Sequence, residues 1–268
     1  MIRRHGSIAE GTAGQWILIS QIDHARLAGQ LAEHWGADGY APLLLPRNEL
    51  LWTVYHHDDG WHAWEQAPDV DPKSGKPRTF TEMELGDSLV IWTASIETAR
   101  QEGPLQAYLV AGHFCALARR SAAWRKHDAL WPQAERFLDQ FGSLGTHWLQ
   151  EWQAENPTAN TPQRAQQALA QLQFFDALSL WFCCAAASGP DRIETPAGPV
   201  LTLVPVDPRR VHIAPWPLNV ESLDLEIAGR AVPVGRYRDR AELAAAPAQS
   251  VLLRWQLQHG EQNVDVRT

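Results

Sequence analysis

The segment QRAQQALAQLQFFDALSLWFCCAAA, residues 163 to 187, is the most apolar stretch of the chain, and helical spacing places Leu169, Leu172, Asp176, Leu180 and Cys183 on one stripe. A helix of this kind must be covered by other parts of the chain, which commits the protein to a helical interior. The aspartate in the middle of the stripe is the sharper constraint. An ionised carboxylate left unpaired among aliphatic side chains is costly, so something positive must face Asp176.

The chain has 268 residues, 45% of them hydrophobic and 20% charged, enough for a full core in one large domain or one domain with a small appendage. Its 31 acidic residues outweigh 23 basic ones, for a net charge of -8, which argues against general nucleic-acid binding. Cys115, Cys183 and Cys184 form no CxxC pair and fit a reducing compartment. The apolar stretch WILIS at 16 to 20 is too short for a signal peptide or a membrane span, so a cytoplasmic protein without membrane contact is expected.

Along the chain, MIRRH and QWILIS flank a glycine-containing turn and predict an N-terminal β-hairpin over 1–19. Ser20 or Asp23 can cap a helix carrying His24, Leu27, Leu31 and Trp35 on one face. A second helix over 47–58 carries Leu50, Leu51, Val54, His57 and Asp58 inward, and Gly60 stops it. Residues 64–80, rich in Pro, Lys, Asp and Gly, read as a long loop of the kind that serves as a lid or binding element. Helices over 84–101, 104–121 and 131–156 precede the apolar helix, and Leu109, His113, Ala116 and Leu117 share a face of the second of these. Beyond residue 188, short runs such as PVLTLVPV, SLDLEIAG and RAVPVGRY read as strands. The expectation is a mainly α protein: a helical domain over 20–188, with a small β subdomain formed by the C-terminal strands of 189–268 and the N-terminal hairpin.

His24, the pair His57-Asp58, His113 and Asp176 thus all fall on inward faces, where few basic residues are available to pair with the carboxylates. A metal ion is the economical partner, since imidazole and carboxylate together suit Zn, Fe, Mn or Mg. A buried hydrogen-bonded network is the alternative, and His113 alone also reads as an ordinary core histidine.

The order of these residues, with HDDG at 57–60 and DALS at 176–179, resembles the HD-domain superfamily of metal-dependent phosphohydrolases over about residues 20–187. More closely, ISQIDHARLAGQLAEHWG and HHDDGW resemble DUF3891, a family of uncharacterised bacterial proteins. The HD resemblance implies an HD-like helical body in which His24, His57, Asp58 and Asp176 coordinate one divalent metal. It also implies that a second metal, if held, would be bridged by Asp58 and take His113, with His56 and His62 as weaker candidates.

Asp58 and Asp59 are the catalytic candidates, Asp58 as a ligand and Asp59 as the acceptor of a proton from water; Asp59 and Asp23 read equally as helix caps. Lys73, Lys76 and Arg78 would clamp an anionic substrate above the metal, and Trp61, or Trp64 beside it, would stack on it, unless they are solvated and hydrophobic filling respectively. GxSxG, HExxH, CxxC and the common glycine-rich phosphate loops are missing. The expected function is a metal-dependent phosphohydrolase acting on a small phosphoester or nucleotide. The alternatives are an HD-fold diiron oxygenase and a non-catalytic metal-containing binding module. The expected partner is a small-molecule substrate, and a homo-oligomer is compatible with the sequence.

Overall fold

The computed structural model describes the chain except residues 8–10, 45, 126, 186–188 and 261–268. Strands β1 (Ile2–His5) and β2 (Gln15–Ile19) form the N-terminal hairpin. They are followed by α1 (Gln21–Glu33), α2 (Arg47–His56), a 3-10 turn at Asp59–Trp61 and the one-turn α3 (His62–Glu65). The long helices α4 (Leu85–Glu102), α5 (Pro104–Arg125), α6 (Trp131–Glu155) and α7 (Pro162–Leu180) come next, and α7 runs on into a π turn at Trp181–Ala185. The C-terminal part holds β3 (Asp191–Ile193), β4 (Leu201–Asp207), β5 (Arg210–Ala214), β6 (Leu223–Pro233), α8 (Arg240–Ala245) and β7 (Gln249–His259). None of the described helices is long and apolar enough to cross a membrane.

The expectation of a mainly α protein with a small β subdomain is overturned. The strands join in a seven-stranded mixed, curled sheet of order β1-β2-β6-β7-β5-β4-β3, in which β5 and β7 run parallel and all other pairs antiparallel. The sheet holds 20% of the residues against 50% in helices, and two of its strands are 11 residues long. One of these, β6, spans the runs SLDLEIAG and RAVPVGRY, which read as separate strands because Gly229 looks like punctuation. The glycine instead lies in mid-strand, where a Cβ would stand 3.1 Å from Ile17 Cγ2 and 3.3 Å from Val251 Cγ2, so a side chain there would crowd β2 and β7.

The largest core joins the sheet to the helices. Ile17, Ile19, Leu203, Leu225 and Leu253 of the strands belong to one apolar cluster with Leu27 and Leu31 of α1 and Leu172, Phe175 and Phe182 of the apolar segment. A second core lies among α4, α5 and α6 and includes Trp61. Helix α1 packs on α2, α7 and β6, while α5 packs on α4, α6 and α7. Where these helices face one another, polar groups such as His24, His57 and His113 are cut off from bulk water.

Candidate metal centre

Four chain segments converge where the inner and outer helices meet. Helix α1 starts at Ser20, whose hydroxyl accepts from Asp23 N at 2.8 Å, and one turn later it turns His24 fully inward. Helix α2 ends at His56, so His57 and Asp58 lie at the junction with the 3-10 turn rather than inside a helix reaching residue 58. Gly60 allows that junction to press onto α4: a Cβ there would lie 2.2 Å from Ile91 O, and Gly60 N donates to Ser95 Oγ at 2.9 Å. Asp176 comes from α7, within the last two turns before the π segment, a feature that recurs at functional sites.

The resulting cluster is tight and buried. His24 and His57 are 0% exposed, Asp58 4% and Asp176 9%. Nε2 of His24 lies 3.2 Å from Asp176 Oδ1 and 3.3 Å from Asp58 Oδ2. Nε2 of His57 lies 3.5 and 3.7 Å from the same two oxygens. Among the described residues, His24, His57 and Asp176 are the one group of three or more potential ligands whose donor atoms all fall within 4.8 Å of one another. Bonds of about 2.1 Å from ligand to metal put neighbouring ligand atoms about 3.0–3.4 Å apart in octahedral or tetrahedral geometry, close to these separations.

The far side of each imidazole decides what its Nε2 presents. Nδ1 of His57 lies 2.9 Å from Val54 O, an acceptor, so Nδ1 carries the hydrogen. Ser179 spends its hydroxyl hydrogen on Asp176 O at 2.9 Å, so its oxygen, 2.7 Å from His24 Nδ1, accepts from that ring as well. Both Nδ1 atoms are thereby donors, and both Nε2 atoms face the carboxylates without a hydrogen-bond partner. In neutral rings those atoms are lone pairs, and lone pair against carboxylate is repulsive unless a cation lies between them.

The electrostatics report the same demand. Burial would lower His24, but Asp176 and Asp58 lift it to about 9. Burial likewise opposes the rise of His57, which Asp58 and Asp176 drive. Burial opposes the shifts of both carboxyls, but the imidazoles of His57 and His24 lower Asp58, and the adjacent His24 and His57 rings hold Asp176 well below the usual carboxylate range. The paired carboxylates hold positive charge on their neighbours, either as protons on the rings or as one dication.

His113 of α5 stands at the margin. Its ring is 5.4 Å from that of His57, its Nδ1 is buried without a partner, and burial pushes its pKa down to about 4, so it is a neutral imidazole. It lines, together with Asp58, Asp176, Gln21 and Trp61, a cavity of about 270 Å³ that gives the cluster one open face.

The other candidates lie elsewhere. Asp59 Oδ2 is 2.9 Å from Nδ1 of His56, and both line a separate surface groove with His62, Arg26 and Tyr55. Asp23 is bonded to Ser20 and Arg26. Lys76 Nζ sits 5.8 Å from the Trp16 ring centroid, and Arg78 is buried near Glu84 and Asp69, at 3.6 and 3.8 Å. Neither they nor Lys73 line the cavity. The stretch that carries them is pinned against the sheet side of the molecule: Val70 pairs with Pro77, Phe80 N donates to Met1 O at 2.8 Å and Tyr237 N to Gly75 O at 2.7 Å. Sequence reasoning missed Ser179, Gln21, Trp92 and Arg120. Ser179 follows Asp176 by three residues and Arg120 follows His113 by seven, both legible as helical repeats.

A helix-and-sheet protein whose buried His₂Asp₂ cluster opens on one small cavity is the class that fold and site define. The model of the family described as "Protein of unknown function (DUF3891)" matches residues 8–234, which include every member of the cluster, and the chain belongs to that family. No curated protein and no solved structure matches it.

Proposed function

We propose that the protein is a metal-dependent hydrolase of the HD type, acting on a small phosphoester or nucleotide. His24, His57, Asp58 and Asp176 would hold a divalent transition metal. The observation that carries this reading is the pair of Nδ1 atoms committed to Ser179 and Val54, which leaves two buried, orphaned Nε2 atoms aimed at two carboxylates. Metal-binding histidines are oriented in this way by acceptors behind them. When bound, the metal would polarise a phosphoryl oxygen and lower the pKa of water.

The chain's own residues supply the rest. Asp58 and Asp176 face the cavity as well as the histidines, so the site is open on one side, as catalytic rather than structural metal sites are. Trp61, Phe114 and Leu117 exclude water from the walls of that cavity, which strengthens electrostatic interactions inside it. His113, neutral and one ring away from His57, can hydrogen-bond a group entering from the cavity. In hydrolysis the water oxygen bonds to phosphorus, the ester P–O bond breaks, and the proton lost by water ends on the departing alcohol.

The test is turnover of a panel of phosphoesters by purified protein after stripping with chelator and reloading with Mn, Fe, Zn or Mg, with O₂ consumption followed in parallel. Hydrolysis restored only by a divalent ion supports the reading. Metal uptake with no hydrolysis and steady O₂ consumption would move the protein to the oxygenase class, and uptake with neither would leave a binding module.

A further inference from the structure

The cavity beside the cluster has a composition that narrows what can enter it. At about 270 Å³ it lies just below the usual range for drug-sized ligands, roughly 300–1,000 Å³. Its walls are flat and apolar: Trp61, Trp92 and Phe114 contribute rings, and Trp92 stacks on Phe114 with 5.6 Å between centroids and planes tilted by 20°. One permanent cation, Arg120, lies in the lining at the solvent-exposed rim, with no protein ion-pair or hydrogen-bond partner among the described residues.

Arg120 is placed to serve the same molecule as the cluster. His113, Leu117 and Arg120 recur at four and three residues on one face of α5, and all three line the cavity. Seven residues of helix separate His113 from Arg120 by about 10.5 Å of rise, and long helical side chains lean toward the helix N-terminus, here toward His113. An independent sign of a ligand is Gln21. It is 4% exposed, it lines the cavity, and its Oε1 is buried with no donor to satisfy it.

Charge sets the remaining limit. Two carboxylates and one dication cancel, so Arg120 leaves the site with a single net positive charge. A phosphate monoester, at about −1.5 to −2, is close to that complement, whereas a polyphosphate would bring several more negative charges into a small apolar space. Resting on the hydrolase reading above, we infer that the substrate is a phosphate monoester of a small, flat, largely apolar alcohol carrying one hydrogen-bond donor. The phosphoryl group lies at the Asp58, His113 and Asp176 end with Arg120 as its counter-cation. The ring lies among Trp61, Trp92 and Phe114, and the donor meets Gln21 Oε1.

Phenylphosphonate, which cannot be hydrolysed at a P–O–C bond, reports on the pocket without turnover. Calorimetric titration of Mn-loaded protein should show it binding at least about tenfold tighter than methylphosphonate, since the ring buries apolar area. An imido analogue of a nucleoside triphosphate should bind more weakly than phenylphosphonate. Arg120→Gln, a change at an exposed position that spares the fold, should weaken phenylphosphonate by about tenfold or more through loss of a charged hydrogen-bond donor. Equal affinity for the methyl compound, tighter binding of the nucleotide analogue, an unaffected Arg120→Gln variant or no phosphonate binding would each overturn the inference. Hydrolysis of phenyl phosphate separates the two readings. Phosphonate binding that depends on Arg120, without turnover of any phosphoester, would remove the hydrolase and keep the pocket. Turnover of nucleoside triphosphates without preference for phenyl phosphate would keep the hydrolase and remove the pocket assignment.

Discussion

Ser179 Oγ lies 2.7 Å from Nδ1 of His24, on the opposite edge of the ring from the atom that faces Asp58 and Asp176. Because the serine hydrogen is committed to the backbone carbonyl of Asp176, one residue fixes the tautomer of a helix α1 histidine and ties it to helix α7. The cluster is therefore oriented from behind, by a group that touches neither carboxylate.

Replacing Ser179 by alanine should leave the four cluster residues in place and weaken metal binding by about 10–100-fold, the usual cost of losing such an outer partner. Competition with a calibrated chelator measures this. Identical affinity in Ser179→Ala and wild type would show that the serine does not set the ring.

Gly60→Ala tests how the His57-Asp58 junction is seated. The added Cβ would meet Ile91 O at 2.2 Å and Ser95 N at 2.5 Å, both backbone atoms of α4 that cannot swing aside. Overpacking of this kind costs about 1–3 kcal/mol or more, and the junction that carries two of the cluster residues must shift to relieve it. Urea denaturation should show the loss, and a midpoint equal to wild type would mean that the turn does not press on α4.

Metal should also stabilise the fold, because the donors are assembled only in the native state. At a free metal concentration about 100 times Kd the gain is about 2.7 kcal/mol. A melting temperature that rises on addition of Mn or Zn, falls on chelation and ceases to respond in His57→Ala is the expected pattern. A rise of the same size in His57→Ala would place the ion somewhere else.

How much of this was legible before the fold was known depends on the range of the interaction. Helical periodicity turned His24, His57 and Asp176 inward because each repeats with aliphatic neighbours three or four residues away, a local relation. The sheet was not legible, because its pairings are distant: β2 pairs with β6 across some two hundred residues, and β5 with β7 in parallel. Gly229 disguised one long strand as two, since only the neighbouring strands reveal how little room there is for a side chain. Lys73, Lys76 and Arg78 could be recognised as cations on an aperiodic segment, but the contacts of that segment with Met1 and Tyr237, which leave Phe80 in the cavity lining and the three cations outside it, come from distant parts of the chain. Arg120 follows His113 at a helical spacing, but only the cavity that both line connects the two.

Metal content per chain is the most direct measurement of the central claim. Wild-type protein and the surface variant His147→Ala, stripped, reloaded with Mn, Fe or Zn and desalted, should each retain at least one ion per chain. Asp58→Ala and Asp176→Ala, shown to be folded by circular dichroism, should retain almost none, because each removes a carboxylate from a cluster whose two orphaned nitrogens cannot hold an ion alone. Full occupancy in both aspartate variants would contradict the account and return the four residues to a buried network of protonated histidines and carboxylates.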